Sequence, residues 1–417
     1  MSDALGITPH SRVPMAGRDP HEDGRVATPL ELLYDLTFVV AIGAVAEQMA
    51  DLVATGHPGV GVLGFVFGMW AILLGWINFT WLASAFDTDD WAYRILTMVQ
   101  MVGVVIVGLG IVPMFHSLEE GDRLDTHLMV GGYVVMRVGL VAQWVRVSRE
   151  SPAFRGVALR NAGWILAVQV GWVVFTLLRL PLVAAFVVVV PLGILEFLIA
   201  PLAQGRANGT PWHRHHIAER YGLLAIIALG EGVVGTVASS RGALGGVTGG
   251  DWDLDAVVVL VCGVGLTFGL WWSYFLIPFG RLLHEHPTRG YVFGFGHIPV
   301  FIAIAGTGAG LHIAGLHLGD EESAIGPVGV ALAVAVPVAV YLAVIDAVVA
   351  GILGRLPRSK PTILGATLVI LAVAVAVSEA SLAAALILVV VASFVPVVVH
   401  EVGGRGRQTA LDASLEG

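Results

Sequence analysis

The chain has 417 residues, 57% of them apolar and only 13% charged, with a net charge of −9. That is about half the charge usual for a soluble domain, too little to cover a water-facing surface of this size, so a soluble globular protein is excluded. The net charge says little about nucleic acid, because its distribution matters more than its total, and no nucleic-acid partner is expected; the single cysteine, Cys262, excludes an internal disulfide or a thiolate metal cluster.

The first 28 residues are polar and carry Arg12, Arg18 and Arg25. No small-residue cleavage site follows the next apolar run, so the segment reads as a retained cytoplasmic leader to a first membrane span. Apolar runs of bilayer length then follow at 32–53, 60–83, 94–114, 127–147, 159–178, 181–201, 219–239, 255–278, 291–313, 326–350, 361–378 and 381–399. Each reads as a helix, because a backbone crossing lipid must satisfy its own hydrogen bonds. Pro181 is placed to open a helix, and Pro191 to kink or break it. The fold class is therefore all-α, a polytopic integral membrane protein of about 12 transmembrane helices.

Arginine and lysine in the short loops set the orientation. With the N-terminus inside, 18 of the 22 basic residues fall in inner segments, and the outer loops hold Arg123, Arg179 and Arg241. Both termini are then cytoplasmic. Val39–Gly43 matches Ile226–Gly230, and Trp76 and Arg94 are spaced like Trp271 and Arg289. This suggests two parallel six-helix halves, 29–201 and 219–400, joined by a cytoplasmic linker at 202–218 and followed by a disordered tail at 401–417.

Ionisable groups at bilayer depth are expensive and normally face protein or water. Glu231 is the foremost, near the middle of its span in the glycine-rich setting Leu229-Gly230-Glu231-Gly232. It reads as a proton or cation carrier or a substrate ligand, or else as half of a buried ion pair, with Arg137 as the expected counter-ion. Glu47, Glu196 and Asp346 lie nearer span ends, and Asn78 is placed to line a cavity. Glu31 and Asp35 share a helix face and, with Asp87, Asp89 and Asp90, outline an acidic cytoplasmic mouth, or else a salt-bridge network fixing helix entry, with Arg25, Arg94 and the inner arginines as expected partners. Glu219 and Arg220 stand where the seventh span begins. His213, His216, His284 and His286 are weak metal-ligand candidates, since their spacing matches no zinc motif; His297 lies inside the ninth span. No Walker, dinucleotide or G-x-S-x-G sequence is present, and no motif fixes a cofactor or an oligomeric state.

Pro29-Leu30-Glu31-Leu32-Leu33-Tyr34-Asp35-Leu36-Thr37-Phe38-Val39 resembles the ELFFDLVFV signature of the bacterial low temperature requirement A family. Leu33, Tyr34 and Thr37 depart from it mildly. Phe86–Asp90 with Arg94, Ala218–Leu223 leading to Leu229-Gly230-Glu231, Trp271–Phe275, and His297 before Pro299 extend the resemblance over most of the chain. It implies a multi-spanning protein of the bacterial inner membrane and supplies no substrate or chemistry. The reading that unites these features is a secondary transporter or exchanger of a small solute or ion, embedded among membrane lipids and coupled through Glu231. The alternatives are a membrane enzyme or metal- or haem-binding protein using the histidines, and a structural or lipid-interacting protein.

Overall fold

The computed structural model describes residues 11–204, 209–243, 254–319, 323–356 and 360–415. The described chain is helical. Its elements are α1 (Pro29–Ala54), α2 (Pro58–Phe86), α3 (Trp91–Leu109), α4 (Ile111–Glu120), α5 (His127–Glu150), α6 (Arg155–Leu178) and α7 (Leu182–Gln204). They continue with α8 (Arg214–Ala243), α9 (Leu254–Phe275), α10 (Phe279–Glu285), α11 (Gly290–Gly319), α12 (Pro327–Leu353), α13 (Lys360–Val377) and α14 (Leu382–Leu415). Twelve helical stretches among these residues are long and apolar enough to cross a membrane. They coincide with the twelve expected from the apolar runs. α14 runs on as helix to Leu415, into the segment whose composition suggested a tail.

Local chemistry sets the helix ends. Thr28, Pro29 and Glu31 start α1 as a capping box: the Thr28 amide donates to Glu31 Oε2 at 2.8 Å, and the Glu31 amide donates to Thr28 Oγ1 at 3.2 Å. Asp90 caps α3 by accepting from the Tyr93 amide at 2.8 Å. The third span is not one helix. It breaks at Gly110, whose backbone lies so close to Met129 that a Cβ there would meet its amide nitrogen at 2.5 Å. α7, by contrast, runs through Pro191 as one helix, so of the kink or break expected there the break does not occur.

The chain forms two compact units: Met1–Ala44 with Phe67–Arg220, and Val45–Val66 with Tyr221–Gly417. In the first unit, α3 and α5 pack backbone to backbone, and a Cβ on Gly103 would sit 2.6 Å from the Gly132 carbonyl oxygen. In the second, α11 and α12 meet in the same way at Gly310 and Ala333, and α8 meets α11 at Gly308, where a Cβ would strike the Glu231 backbone at 2.7 Å. Rows of Val and Leu on α6 and α7, such as Leu177 and Val183, are left exposed, as a lipid-facing surface requires. The acids Asp251, Asp253, Asp320, Glu321 and Glu322, with Arg206 and Arg358, lie outside the described residues.

Candidate functional site

The first unit buries charge in pairs. Glu31 and Asp35 lie one turn apart on α1, and both are fully buried. Arg220 of α8, equally buried, donates from Nη1 to Glu31 Oε1 at 2.6 Å. It also donates from Nη2 and Nε to the two Asp35 oxygens at 2.6 and 3.2 Å. Trp76 Nε1 donates to Asp35 Oδ1 at 2.6 Å, and His216 Nε2 lies 3.2 Å from Glu31 Oε2. The arrangement is a closed ion cluster, in which one of the inner arginines, Arg220, pairs with both acids. One guanidinium between the two carboxylates removes their mutual repulsion, and hydrogen bonds fill the remaining oxygen lone pairs.

A second cluster joins α5, α6 and α7. Arg137 Nη2 bonds to Glu196 and to the Tyr133 hydroxyl, the latter at 2.7 Å. Trp172 Nε1 donates to Glu196 Oε2 at 3.0 Å. Arg137 is therefore the counter-ion of Glu196, not of Glu231. Glu196, weighed only as a span-end group, becomes part of the interior through this pair.

A third cluster ties down the polar N-terminal segment. Arg146 of α5 pairs with Asp90 and with Glu150. The Val13 amide donates to Asp90 Oδ2 and the Met15 amide to Glu150 Oε2, each at 2.9 Å. Burial alone would raise the Asp90 carboxyl, but Arg146 and the amides of Tyr93 and Val13 outweigh it and hold the group at about 2. Asp87 goes the other way: burial, reinforced by Glu31, pushes it up to about 6. Arg25 donates to the Ser84 and Ala83 carbonyls, and Arg94 forms a two-point pair with Asp89 at 2.9 and 2.8 Å. Neither closes over Glu31 or Asp35.

The histidines do not assemble a metal site. His213 Nδ1 accepts from the His216 amide at 3.1 Å, so its proton is on Nε2, which donates to the Glu22 carbonyl at 2.8 Å. Both ring nitrogens are thus committed, and burial lowers the imidazole's pKa. His297 is also fixed: Nδ1 donates to the Phe293 carbonyl at 2.7 Å, and Nε2 accepts from Tyr274 at 3.1 Å. Five aromatic rings (Tyr221, Tyr274, Phe279, Phe293 and Phe301) surround it, with centroids 4.3 to 5.8 Å away. His284 is exposed and His286 half-buried. Among the described residues no three His, Cys, Asp or Glu side chains are grouped to hold a metal ion.

Glu231 stands apart. It is 8% exposed on α8 in the second unit, and it makes no hydrogen bond or ion pair with any described residue. The ionisable neighbour it feels is another acid, Glu47, whose own side chain is exposed. Other buried carboxylates in the helices are neutralised, including Asp346, which Lys360 meets at 2.6 Å. α8 continues unbroken across Gly230 and Gly232. Gly232 serves packing, since a Cβ there would meet Thr267 Oγ1 at 2.6 Å, whereas a Cβ on Gly230 would meet nothing within 4 Å. Asn78 donates to the Leu74 carbonyl of its own helix at 2.7 Å. Glu219 is half-buried and accepts from the Ala27 backbone.

Twelve apolar helices, with arginine-centred ion clusters buried between them, define a multi-pass membrane protein. Residues 26–395 match the model of the bacterial low temperature requirement A protein (LtrA) family, and the chain belongs to that family. It is also similar to an uncharacterised protein of Rhizobium meliloti (strain 1021), with 26% identity over 308 residues covering 70% of each chain. No solved structure matches it.

Proposed function

We propose that the protein carries a small solute or ion across the bacterial membrane, coupled to a proton or cation exchanged at Glu231. The observation that carries this reading is the contrast in pairing. Glu31, Asp35, Glu196 and Asp346 each have a cationic partner. Glu231 is buried without one and sits near a second carboxylate. A carboxylate in that position must take up a proton or a cation to become neutral, and exchange of that cation is the elementary step of coupling.

The two parallel halves proposed from the sequence would suit an alternating mechanism. Within the first unit Trp70 of α2 packs on Gly193 of α7; within the second, Phe394 and Ser393 of α14 pack on Gly269 of α9. These are the second and sixth spans of each proposed half. The arginine distribution supports cytoplasmic termini.

The test is reconstitution into liposomes under an imposed pH gradient or membrane potential, reading lumenal pH and Na⁺ or K⁺ with fluorescent reporters. Ion movement that is lost in Glu231→Gln and retained in Glu120→Gln, a change at an exposed acid, supports the reading. Wild-type protein that moves neither protons nor cations across a panel of gradients overturns it.

A further inference from the structure

The Arg137 cluster is incomplete as the protein alone builds it. Arg137 is 2% exposed, and only Nη2 is engaged; Nε and Nη1 have no hydrogen-bond partner. A guanidinium carries five N–H donors and no acceptor, so unpaired nitrogens in an apolar interior each forfeit a hydration worth about 1–3 kcal/mol or more. A second orphan lies on the neighbouring helix. Tyr34 of α1 is fully buried, and its hydroxyl has no partner.

The packing brings the two together. A Cβ on Gly75 of α2 would touch Met136 Cε at 2.8 Å and Phe38 at 3.8 Å. Met136 precedes Arg137, and Phe38 stacks one turn beyond Tyr34 with ring centroids 5.0 Å apart. Arg137 is also the foremost charge acting on Tyr34, ahead of Asp35 and Arg220.

We infer that the first unit binds internal water at Arg137. One water oxygen accepts from the free Nε and Nη1 edge and reaches the Tyr34 hydroxyl. A bound water needs two to four polar partners, and these three groups supply them. Charge selects water over an anion. Glu31, Asp35 and Glu196 already outnumber Arg137 and Arg220 by one, so a buried anion would add to an excess of negative charge. Tyr34 directly precedes Asp35 on α1, so this water lies between the Arg137–Glu196 pair and the turn of α1 that carries the Asp35–Arg220 pair.

Radiolytic hydroxyl-radical footprinting of the intact purified protein tests this, because radicals formed on bound water label the side chains beside it. Tyr341 is the internal control: it is equally buried, but its hydroxyl bonds to the Leu270 carbonyl at 3.0 Å and pairs with Ser273 at 3.1 Å. Labelling of Tyr34 at a several-fold higher rate than Tyr341, unchanged when chloride is replaced by gluconate, is the expected result. Tyr34 protected as fully as Tyr341 overturns the inference. So does labelling that appears or vanishes with the halide, which would assign the site to an anion.

Discussion

Arg220 and Asp35 meet through two hydrogen bonds, at 2.6 and 3.2 Å, in a place where neither has any exposed surface. The same guanidinium holds Glu31, so one side chain on α8 fixes the start of α1. Removing one partner of such a pair leaves a bare charge in the interior, an effect of about 3–5 kcal/mol. Arg220→Gln is expected to lower the melting temperature in detergent sharply and to reduce the folded yield. Arg220→Lys should rescue it only in part, because an ammonium cannot serve both carboxylates in the same plane. Equal melting temperatures for Lys and Arg at this position would show that the two-carboxylate geometry carries no weight.

The two aspartates flanking the α2–α3 turn should respond to pH in opposite directions. Asp87, raised to about 6, binds its proton more tightly folded than unfolded, so stability falls as pH rises from about 4 to about 6. Asp87→Asn removes that penalty and should raise the melting temperature above pH 6 while changing little at pH 4. Asp90, held at about 2, stabilises the fold above about pH 4, and that contribution is lost as pH falls toward 2. Asp90→Asn should destabilise at pH 7 and converge with wild type at the acid end. Parallel melting curves across the whole range for either variant would contradict the assignment.

The N-terminal segment is bound to the first unit by the Val13 and Met15 amides, the Arg18 amide to the Ala85 carbonyl at 2.9 Å, and the Glu22 carbonyl at His213. Deletion of residues 1–24 is expected to lower the melting temperature and to increase proteolysis near the α2–α3 turn. Unchanged melting would show that these bonds are replaced by water without loss.

Close packing of α8 on α11 gives a glycine contrast. Gly308→Ala places a methyl carbon against the Glu231 backbone at 2.7 Å, and overpacking of this kind destabilises by about 1–3 kcal/mol. Gly131→Ala on α5 meets nothing within 4 Å and should be neutral or stabilising by up to about 1 kcal/mol. Thermal melting of the two variants side by side distinguishes close packing from a general intolerance of alanine.

The spans were legible because apolar length is a direct consequence of crossing lipid, and Glu231 was legible because a charge among glycines at mid-span has no solvent explanation. Partner choice was not. Arg137 and Glu196 lie 59 residues apart, and nothing local says that α5 and α7 face each other. Arg146 and Arg220 counted as cytoplasmic charges, yet both sit in helices against Asp90, Glu31 and Asp35. One signal was present and unread: Thr28-Pro29-Leu30-Glu31 spells a capping box, which assigns Glu31 a structural bond before any ion pair is considered. The N-terminal leader escaped notice because backbone amides, which every sequence carries, do most of its binding.

The claim that Glu231 is the unpaired, exchangeable carboxylate of the interior can be tested directly with a hydrophobic carbodiimide, which modifies protonated carboxyl groups within the membrane. The predicted result is a mass adduct on Glu231, with Glu31, Asp35 and Glu196 unmodified, and loss of ion movement in the same liposomes. Glu231 left unmodified while Glu196 or Asp35 reacts would contradict the account.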